Sequence, residues 1–368
     1  MKHRLTVVMT SYNIEKFLPR FFECFSKQTY TDFCLLVVDD GSTDNSVAVI
    51  KKYAEKDERI KLVESEHLGL PGIKNYALSL IDTELFAFAD GDDIIGPDYL
   101  KHLVDKLDEY NADLVISRVE YLREDGLKRY NVQTPYEERY IEKDDFKAKF
   151  PPLLRDRRLN YFYAKVYRTK YLDDVKIDDG FTHGEDTVFV FKYIVKINSL
   201  VLIDDVDYSY IKYNTRSVTA YRGDDVYERF LKVNLFLLNF TRENGLFSEE
   251  MLHIIDGRTL VIGNWAIEKI LGSDASKKEK NAQISKVLSN TYYARAYERQ
   301  EENLNILRFN YIPPQSGKKY HNKYRFEEKK RRVKDKILYL SPKPLRSLNK
   351  KRIENKERRI NNRIKKGC

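Results

Sequence analysis

The sequence predicts an α/β fold: a mostly parallel sheet with helices on both faces, followed by a helical C-terminal region and a basic tail. Three observations predict it. Apolar, β-branched runs alternate with helical periodicity over the first third of the chain. Acidic clusters follow two of those runs directly. Beyond about residue 224 only helical spacing is left, and the last fifty residues are strongly basic.

In order, "LTVVMT" (5–10) is a β-branched strand, and "EKFLPRFFECFSKQ" (15–28) sets Phe17, Phe21, Phe22 and Phe25 on one helical face, as core. "CLLVVDD" (34–40) is a buried strand that ends in acids. "STDNSVAVIKKYAEKD" (42–57) opens on a Ser/Thr/Asp cap cluster and continues as a helix. "IKLVES" is a strand, and "PGIKNYALSL" (71–80) starts a helix with Pro71 in its first turn. "ELFAFAD" (84–90), "GPDYLKHLVDKLDEY" (96–110) and "ADLVISRVEYL" (112–122) are strand, helix and strand. This alternation argues for parallel strands covered by helices, with ligands at the carboxyl ends of the strands.

From 123 to 158 the pattern is irregular and polar. "LNYFYAKVYRT" (159–169) predicts a strand, "EDTVFVFKYIVKI" (185–197) a helix, and "LVLIDD" and "VDYSYIKY" short strands. Helices are expected over 225–243, 248–271, 276–299 and 300–310, with Trp265 as helix core. "YIPPQSGKK" (311–319) breaks the chain before the tail. The expected domains are 1–220, 221–312 and 313–368.

The hydrophobic fraction of 42% and aromatic fraction of 13% suit a globular core, and 368 residues suffice for a large and a smaller domain. Cys24, Cys34 and Cys368 have no metal-ligand spacing and are too few for a disulfide scaffold, which suits a reducing compartment. The five-residue apolar run near the N-terminus is too short for a signal-peptide core, and no stretch approaches the roughly 18 apolar residues of a spanning helix. A cytoplasmic location is expected. Charge is uneven. From Lys318 to Cys368, 21 lysines and arginines face 5 acids, a net of +16, so residues 1–317 carry −7 of the +9 total.

Three stretches bear on chemistry. "VVMTSYN" and "VVDDGSTDNS" set two polar strand ends side by side. A carboxylate there accepts hydrogen bonds from a nucleobase imide, and the following helix N-terminus favours anions; the same residues also make ordinary turns and caps. "ADGDD" (89–93) collects Asp90, Asp92 and Asp93 after an apolar strand. Carboxylates in that spacing hold Mg²⁺ or Mn²⁺ together with diphosphate oxygens, or form a solvated acidic turn. "GFTHGEDTVFVF" (180–191) opens a helix with Glu185 and Asp186, either as a general base or as acids complementing the helix dipole.

Taken in order, "VVMTSYN", "VVDDGSTDNS", "GLPGIKNYAL", "FADGDD", "GED" and "YSYIKYNTRSVT" resemble the bacterial family 2 glycosyltransferases of GT-A fold, over about residues 4–220. Wall teichoic acid glycosyltransferases are similar in layout, with a "GPG" shortly before "RN" and a helical C-terminal region. The resemblance implies that Thr10, Tyr12 and Asp40 line a uracil pocket, with Asp39 nearby. Lys74 and Asn75 stand where the family has Arg-Asn and would serve the diphosphate; a lysine there lacks arginine's planar fork. Asp90 would contact ribose, and Asp92 would bind Mn²⁺ or Mg²⁺ with the diphosphate. Asp186 would be the catalytic base, and Glu185 would shape the acceptor site. Lys212, Arg216 and Ser217 fall where a late basic loop covers the diphosphate, and His183 is a candidate acceptor residue. Some relatives carry a metal-binding histidine in that loop; residues 184–252 contain none. His67 belongs to the loop before "GLPG". The implied reaction is inverting transfer from a UDP-sugar to a cell-surface glycan, teichoic acid or lipid-linked acceptor.

In the tail, Val333, Ile337 and Leu340 follow helical spacing among basic residues. A basic amphipathic segment suits the anionic inner face of a cell membrane, so peripheral association through 318–368 is expected, with a solvated tail as the alternative. Nucleic acid is not an expected partner, since few aromatics interleave with the charges and the body is acidic. The apolar helical faces of 225–310 suit a homo-oligomer. Two other function classes compete with this reading. A nucleotidyltransferase needs a Gly-rich phosphate loop that "TSYNIEKFLPR" does not supply, and Asp92 and Asp186 argue against a non-catalytic assembly protein of this fold.

Overall fold

The computed structural model describes residues 3–124, 128–133, 139–213 and 226–300. The chain divides into two compact units, Met1–Ile255 and Asp256–Cys368.

The first unit opens as the alternation predicts. Strands β1 (Leu5–Ser11), β2 (Phe33–Asp39), β3 (Ile60–Glu64) and β4 (Leu85–Phe88) are joined by α1 (Leu18–Ser26), α2 (Ser46–Ala54) and α3 (Gly69–Ser79). They lie parallel in the order β3-β2-β1-β4. The helices α4 (Tyr99–Glu109), α5 (Phe146–Arg155), α6 (Glu185–Ile194) and α7 (Val226–Glu243) follow, with strands between them. The sheet continues from β4 through β10 (Lys165–Arg168), β6 (Leu114–Ile116), β11 (Ser199–Leu202) and β9 (Arg139–Glu142). Within it β10 is antiparallel to both neighbours and β9 is antiparallel to β11. The sheet is mostly parallel, as expected.

A second sheet was not expected. It runs β5 (Ile94–Ile95), β12 (Tyr208–Lys212), β7 (Val119–Arg123) and β8 (Lys128–Val132). It takes half of the strand predicted over 112–122. At Ser117 the chain leaves the main sheet: the Ser117 amide donates to the Ala164 carbonyl at 3.0 Å and the Arg118 amide to the Asp205 carbonyl at 3.1 Å. The strand predicted over 159–169 shortens to β10, and the polar stretch 123–158 holds β8, β9 and α5.

Side chains alternate across the main sheet, as a strand buried on both faces requires. Leu5, Val7, Met9, Leu85 and Ala87 join the phenylalanines of α1 and the leucines of α4 in one core. Val8, Phe86, Phe88 and Tyr167 point the other way, into a core with α3, α5, α6 and α7. Phe86 is fully buried; it stacks on Tyr167 at 4.8 Å between ring centres and meets Tyr193 edge-on at 6.2 Å.

In the second unit the helix predicted over 276–299 is two, α9 (Lys277–Ser289) and α10 (Thr291–Gln300). Asn290 divides them: its backbone is extended, and its side-chain oxygen accepts the amides of Tyr292 and Tyr293 at 3.0 and 3.3 Å, capping α10. Ser276 and Glu279 form a capping box at the start of α9. Helix α8 (Glu249–Gly272) spans the division between the units. Among the described residues no helix is long and apolar enough to cross a membrane.

Truncating Phe86 to alanine should cost about 3–5 kcal/mol, the usual loss for a fully buried aromatic. Chemical denaturation should show a lower midpoint with an unchanged slope; an unchanged midpoint would mean the aromatic cluster does not hold this core together.

Candidate active site

Parallel pairing brings the carboxyl ends of β1, β2 and β4 together. Ser11 lies opposite Asp39, and Val8 opposite Phe88, so Thr10, Asp39, Asp40 and Asp90 all come to one edge of the sheet. Turn chemistry shapes the first part of that edge. The Asp39 carboxylate accepts the Ser42 amide at 2.8 Å and the Ser42 hydroxyl at 2.6 Å. Asp40 accepts the amides of Leu68 and Gly69 at 2.6 and 3.2 Å, where α3 begins. His67 Nδ1 lies 3.0 Å from the Asp40 carboxylate, and its ring stacks on Tyr12 at 4.5 Å. Tyr12 is 46% exposed, so an aromatic platform stands open beside a buried carboxylate.

The three acids after β4 divide by what touches them. Asp93 is buried and structural: its carboxylate accepts the Tyr208 hydroxyl at 2.8 Å and the Ile211 amide at 2.9 Å. The same Tyr208 oxygen accepts the Asp90 amide at 3.1 Å. The Asp92 carbonyl accepts Arg20 Nη2 at 2.5 Å and the Tyr213 hydroxyl at 2.8 Å, and Arg20 also donates to the Tyr213 oxygen at 2.7 Å. The turn backbone is thus clamped from α1 and β12. Among the described residues no ion pair reaches the Asp92 carboxylate. Burial, and then the charge of Asp90, push its pKa up to about 6. Burial likewise raises Asp90, against the pull of Lys74. Two half-buried carboxylates with raised pKa values are an oxygen-donor set that fits a hard divalent cation. Another group with ligating atoms within 4.8 Å, His102, Asp205 and Asp207, lies on α4 and the stretch leading into β12. There His102 Nδ1 sits 2.7 Å from Asp207, an ion pair that raises the histidine pKa despite burial.

Glu185 and Asp186 begin α6, and Lys74 on α3 lies between them. Its ammonium donates to Glu185 Oε1 at 3.0 Å and to Asp186 Oδ1 at 2.6 Å, and sits 4.5 Å from the centre of the Phe162 ring. Lys74 and Glu185 are each 7% exposed. Burial disfavours the Lys74 charge, but Asp186 and Glu185 outweigh it and raise its pKa. Burial also works to raise Glu185, and Lys74 outweighs it, so the Glu185 pKa is lowered. Asp186 is pushed up to about 7, by burial above all, with Lys74 pulling down and Glu185 and Asp90 pushing up. A half-buried carboxylate poised near neutrality is suited to taking a proton. Nearby on β10, Lys165 is buried and donates to the carbonyls of Tyr161 and Tyr163 at 2.7 and 3.2 Å; burial lowers its pKa to about 7.

Two expected ligand contacts are spent inside the protein. Lys74, expected at a diphosphate, is occupied by the two acids. Asn75 donates from its amide nitrogen to the Ile177 carbonyl at 2.8 Å and accepts the Ile177 amide at 2.9 Å, so both ends of its side chain are engaged. Lys212 lies at the exposed end of β12. Arg216, Ser217 and residues 318–368 lie outside the described residues. His183 packs against Phe230 at 4.0 Å between ring centres, and burial lowers its pKa. Arg20, Tyr208 and Tyr213 were not among the expected site residues. The one signal for Arg20 is a cation set among the phenylalanines of α1.

Gly184, which precedes Glu185, has φ +73°, in the left-handed region. A Cβ there would sit 2.7 Å from Val233 Cγ2 on α7.

Residues 6–176 match the family model described as Glycosyl transferase family 2. Glycosyltransferase GlyA of Streptococcus pneumoniae is 28% identical over 215 residues, which cover 56% of this chain and 30% of GlyA. The poly(ribitol-phosphate) β-N-acetylglucosaminyltransferase TarS of Staphylococcus aureus is 26% identical over 247 residues, 64% of this chain and 41% of TarS. The chain thus spans less than half the length of these curated relatives. The crystal structure of S. aureus TarS 1–349 in complex with UDP-GlcNAc superposes with a TM-score of 0.57 at 20% identity, covering 86% of this chain and 95% of that one. At that identity the likeness is one of fold.

Replacing Gly184 by alanine should destabilise the protein by about 1–3 kcal/mol, because left-handed backbone is strained for any residue with a Cβ and Val233 must also move. Thermal unfolding of the variant should begin several degrees lower. An unchanged transition would mean the 180–185 loop is not held by this contact.

Proposed function

We propose that this chain, whose residues 6–176 match the glycosyl transferase family 2 model, is a member of that family and moves a sugar from a UDP-linked donor to a hydroxyl of a cell-surface glycan, teichoic acid or lipid-linked acceptor. One observation carries the reading. The acid turn after β4 and the acid pair opening α6 stand close enough that Lys74 interacts with Asp90, Glu185 and Asp186 together. A site for charged leaving groups and a base therefore share one edge of the sheet. The relatives support the substrate class: TarS is named for N-acetylglucosaminyl transfer to poly(ribitol-phosphate), and a TarS structure is titled as a complex with UDP-GlcNAc.

In this reading the uracil stacks at Tyr12, between Thr10 and Asp40, with Asp39 holding the turn beneath. Asp90 contacts the ribose. Asp92 is the residue that would hold a divalent cation, Mn²⁺ or Mg²⁺, and such a cation when bound offsets charge on the diphosphate. Lys212, Arg216 and Ser217 are the basic and polar residues assigned to the diphosphate, as the sequence resemblance implies. Asp186 takes the proton from the acceptor hydroxyl, and Glu185 and His183 shape the acceptor side. The freed oxygen bonds to the anomeric carbon as the bond from that carbon to the diphosphate oxygen breaks. Attack from the opposite face inverts the configuration, the proton stays on Asp186, and UDP leaves. Residues 318–368, with their net charge of +16, hold the enzyme to the anionic inner face of the membrane.

Calorimetric titration with UDP should show binding that strengthens with Mn²⁺, and Asp92→Ala should lose the Mn²⁺ dependence. Absence of UDP binding with or without the metal would overturn the donor assignment. With UDP-GlcNAc and related donors, Asp186→Asn should reduce turnover by about 10²–10⁴-fold while UDP binding persists. The wild-type rate should rise with pH up to about 7 and level off above it, because a base of that pKa is protonated and idle on the acid side. Near wild-type turnover in Asp186→Asn would remove it as the base.

A further inference from the structure

We propose that Lys74 is a positioning residue for the base: with Asn75 it makes α3 a brace that fixes the start of α6 and keeps Asp186 ionised, instead of contacting the diphosphate. This rests on the assignment of Asp186 as the base. Three features support it. An ammonium has three N–H donors. Two of them meet Glu185 and Asp186, and the charge lies against the Phe162 ring, with only 7% of the residue exposed. Little of the cation is left to meet a soluble ligand. The next residue, Asn75, turns inward as well, with both ends of its amide on the backbone of Ile177, in the stretch that leads to α6. Consecutive residues of one helix therefore clamp the loop before α6 and the first turn of α6. Finally, side-chain type matters. A compact point cation reaches both carboxylates 4.5 Å from the centre of the Phe162 ring, whereas a guanidinium is a larger planar fork that would have to be accommodated in the same space.

The surroundings of Asp186 define what Lys74 does. Facing it are Glu185 from its own helix, Asp90 from the end of β4, Lys74 from α3, and Lys165 and Tyr167 from β10. The ammonium of Lys165 is directed at the carbonyls of Tyr161 and Tyr163. Without Lys74, three carboxylates would share a buried space with no cation directed at them among these groups. The least costly response would be for one to take a proton. A protonated Asp186 accepts nothing from an acceptor hydroxyl.

The experiment compares wild type, Lys74→Met, Lys74→Arg and Glu185→Gln in pH–rate profiles with a UDP-sugar and in UDP calorimetry. Lys74→Met should move the acid limb up by at least about one pH unit, a tenfold loss at pH 6 that narrows at high pH, with UDP affinity unchanged. Lys74→Arg should recover part of the shift because charge is kept. Glu185→Gln should move the acid limb the opposite way, because it removes a like charge beside Asp186. If Lys74→Met fails to fold, Lys74→Arg decides instead: a moved acid limb with unchanged UDP affinity supports the brace, and weakened UDP binding with an unmoved limb overturns it. Weakened UDP binding in Lys74→Met with an unmoved acid limb would overturn the proposal and return Lys74 to the diphosphate. Should wild type itself show no UDP binding, the donor reading fails separately. Titration of the Asp186 carboxyl carbon by NMR then tests Lys74 without any substrate: a higher pKa in Lys74→Met supports the brace and an equal one overturns it.

Discussion

Asp90, Asp92, Glu185 and Asp186 are drawn to one edge of the sheet, and the buried ammonium of Lys74 is what makes that concentration of negative charge tolerable. Like charges in a dry site push one another toward the protonated state. Lys74 reverses that for Glu185 and restrains it for Asp186 and Asp90. Among the described residues no ion pair to the Asp92 carboxylate is formed, and burial and Asp90 raise its pKa against the weaker pull of Arg20 and Lys16. The site is therefore asymmetric: Lys74 makes ion pairs with the two acids of α6 and acts on the acid turn only through its charge on Asp90.

The remaining carboxylates show how one residue type divides its labour. Asp39, Asp40 and Asp93 are as buried as any residue of the site, yet each accepts two hydrogen bonds from backbone or hydroxyl donors. They close turns and start a helix. Asp92 instead has its backbone carbonyl gripped by Arg20 and Tyr213. The difference lies in which donors reach which oxygen.

Much of the fold was legible because it rests on local periodicity. The strands and helices from β1 to α4 each show their period within a dozen residues, and the acids stand at strand ends because the strands are buried on both faces. The small second sheet was not legible. Its strands are short and far apart in the chain, and a continuous apolar run over 112–122 conceals a break at Ser117 that depends on a carbonyl from residue 164. In the site, the positions of the acids could be read and their duties could not, since Asp90, Asp92 and Asp93 look alike until Tyr208 and Arg20 arrive from other elements. Lys74 is the clearest case: its partners lie 111 and 112 residues away, so its identity was visible and its orientation was not.

The hydroxyl of Tyr208 is a single atom on which both sheets converge. It receives the Asp90 amide at the end of the large sheet and donates to Asp93, whose other oxygen takes the Ile211 amide in the small one. Its ring lies flat on Tyr163, 4.5 Å away, so it has nowhere to swing. A strand moved by one residue presents its other face. Lengthening or shortening the stretch between β11 and β12 by one residue would thus exchange Tyr208 for an outward-facing neighbour and release the acid turn.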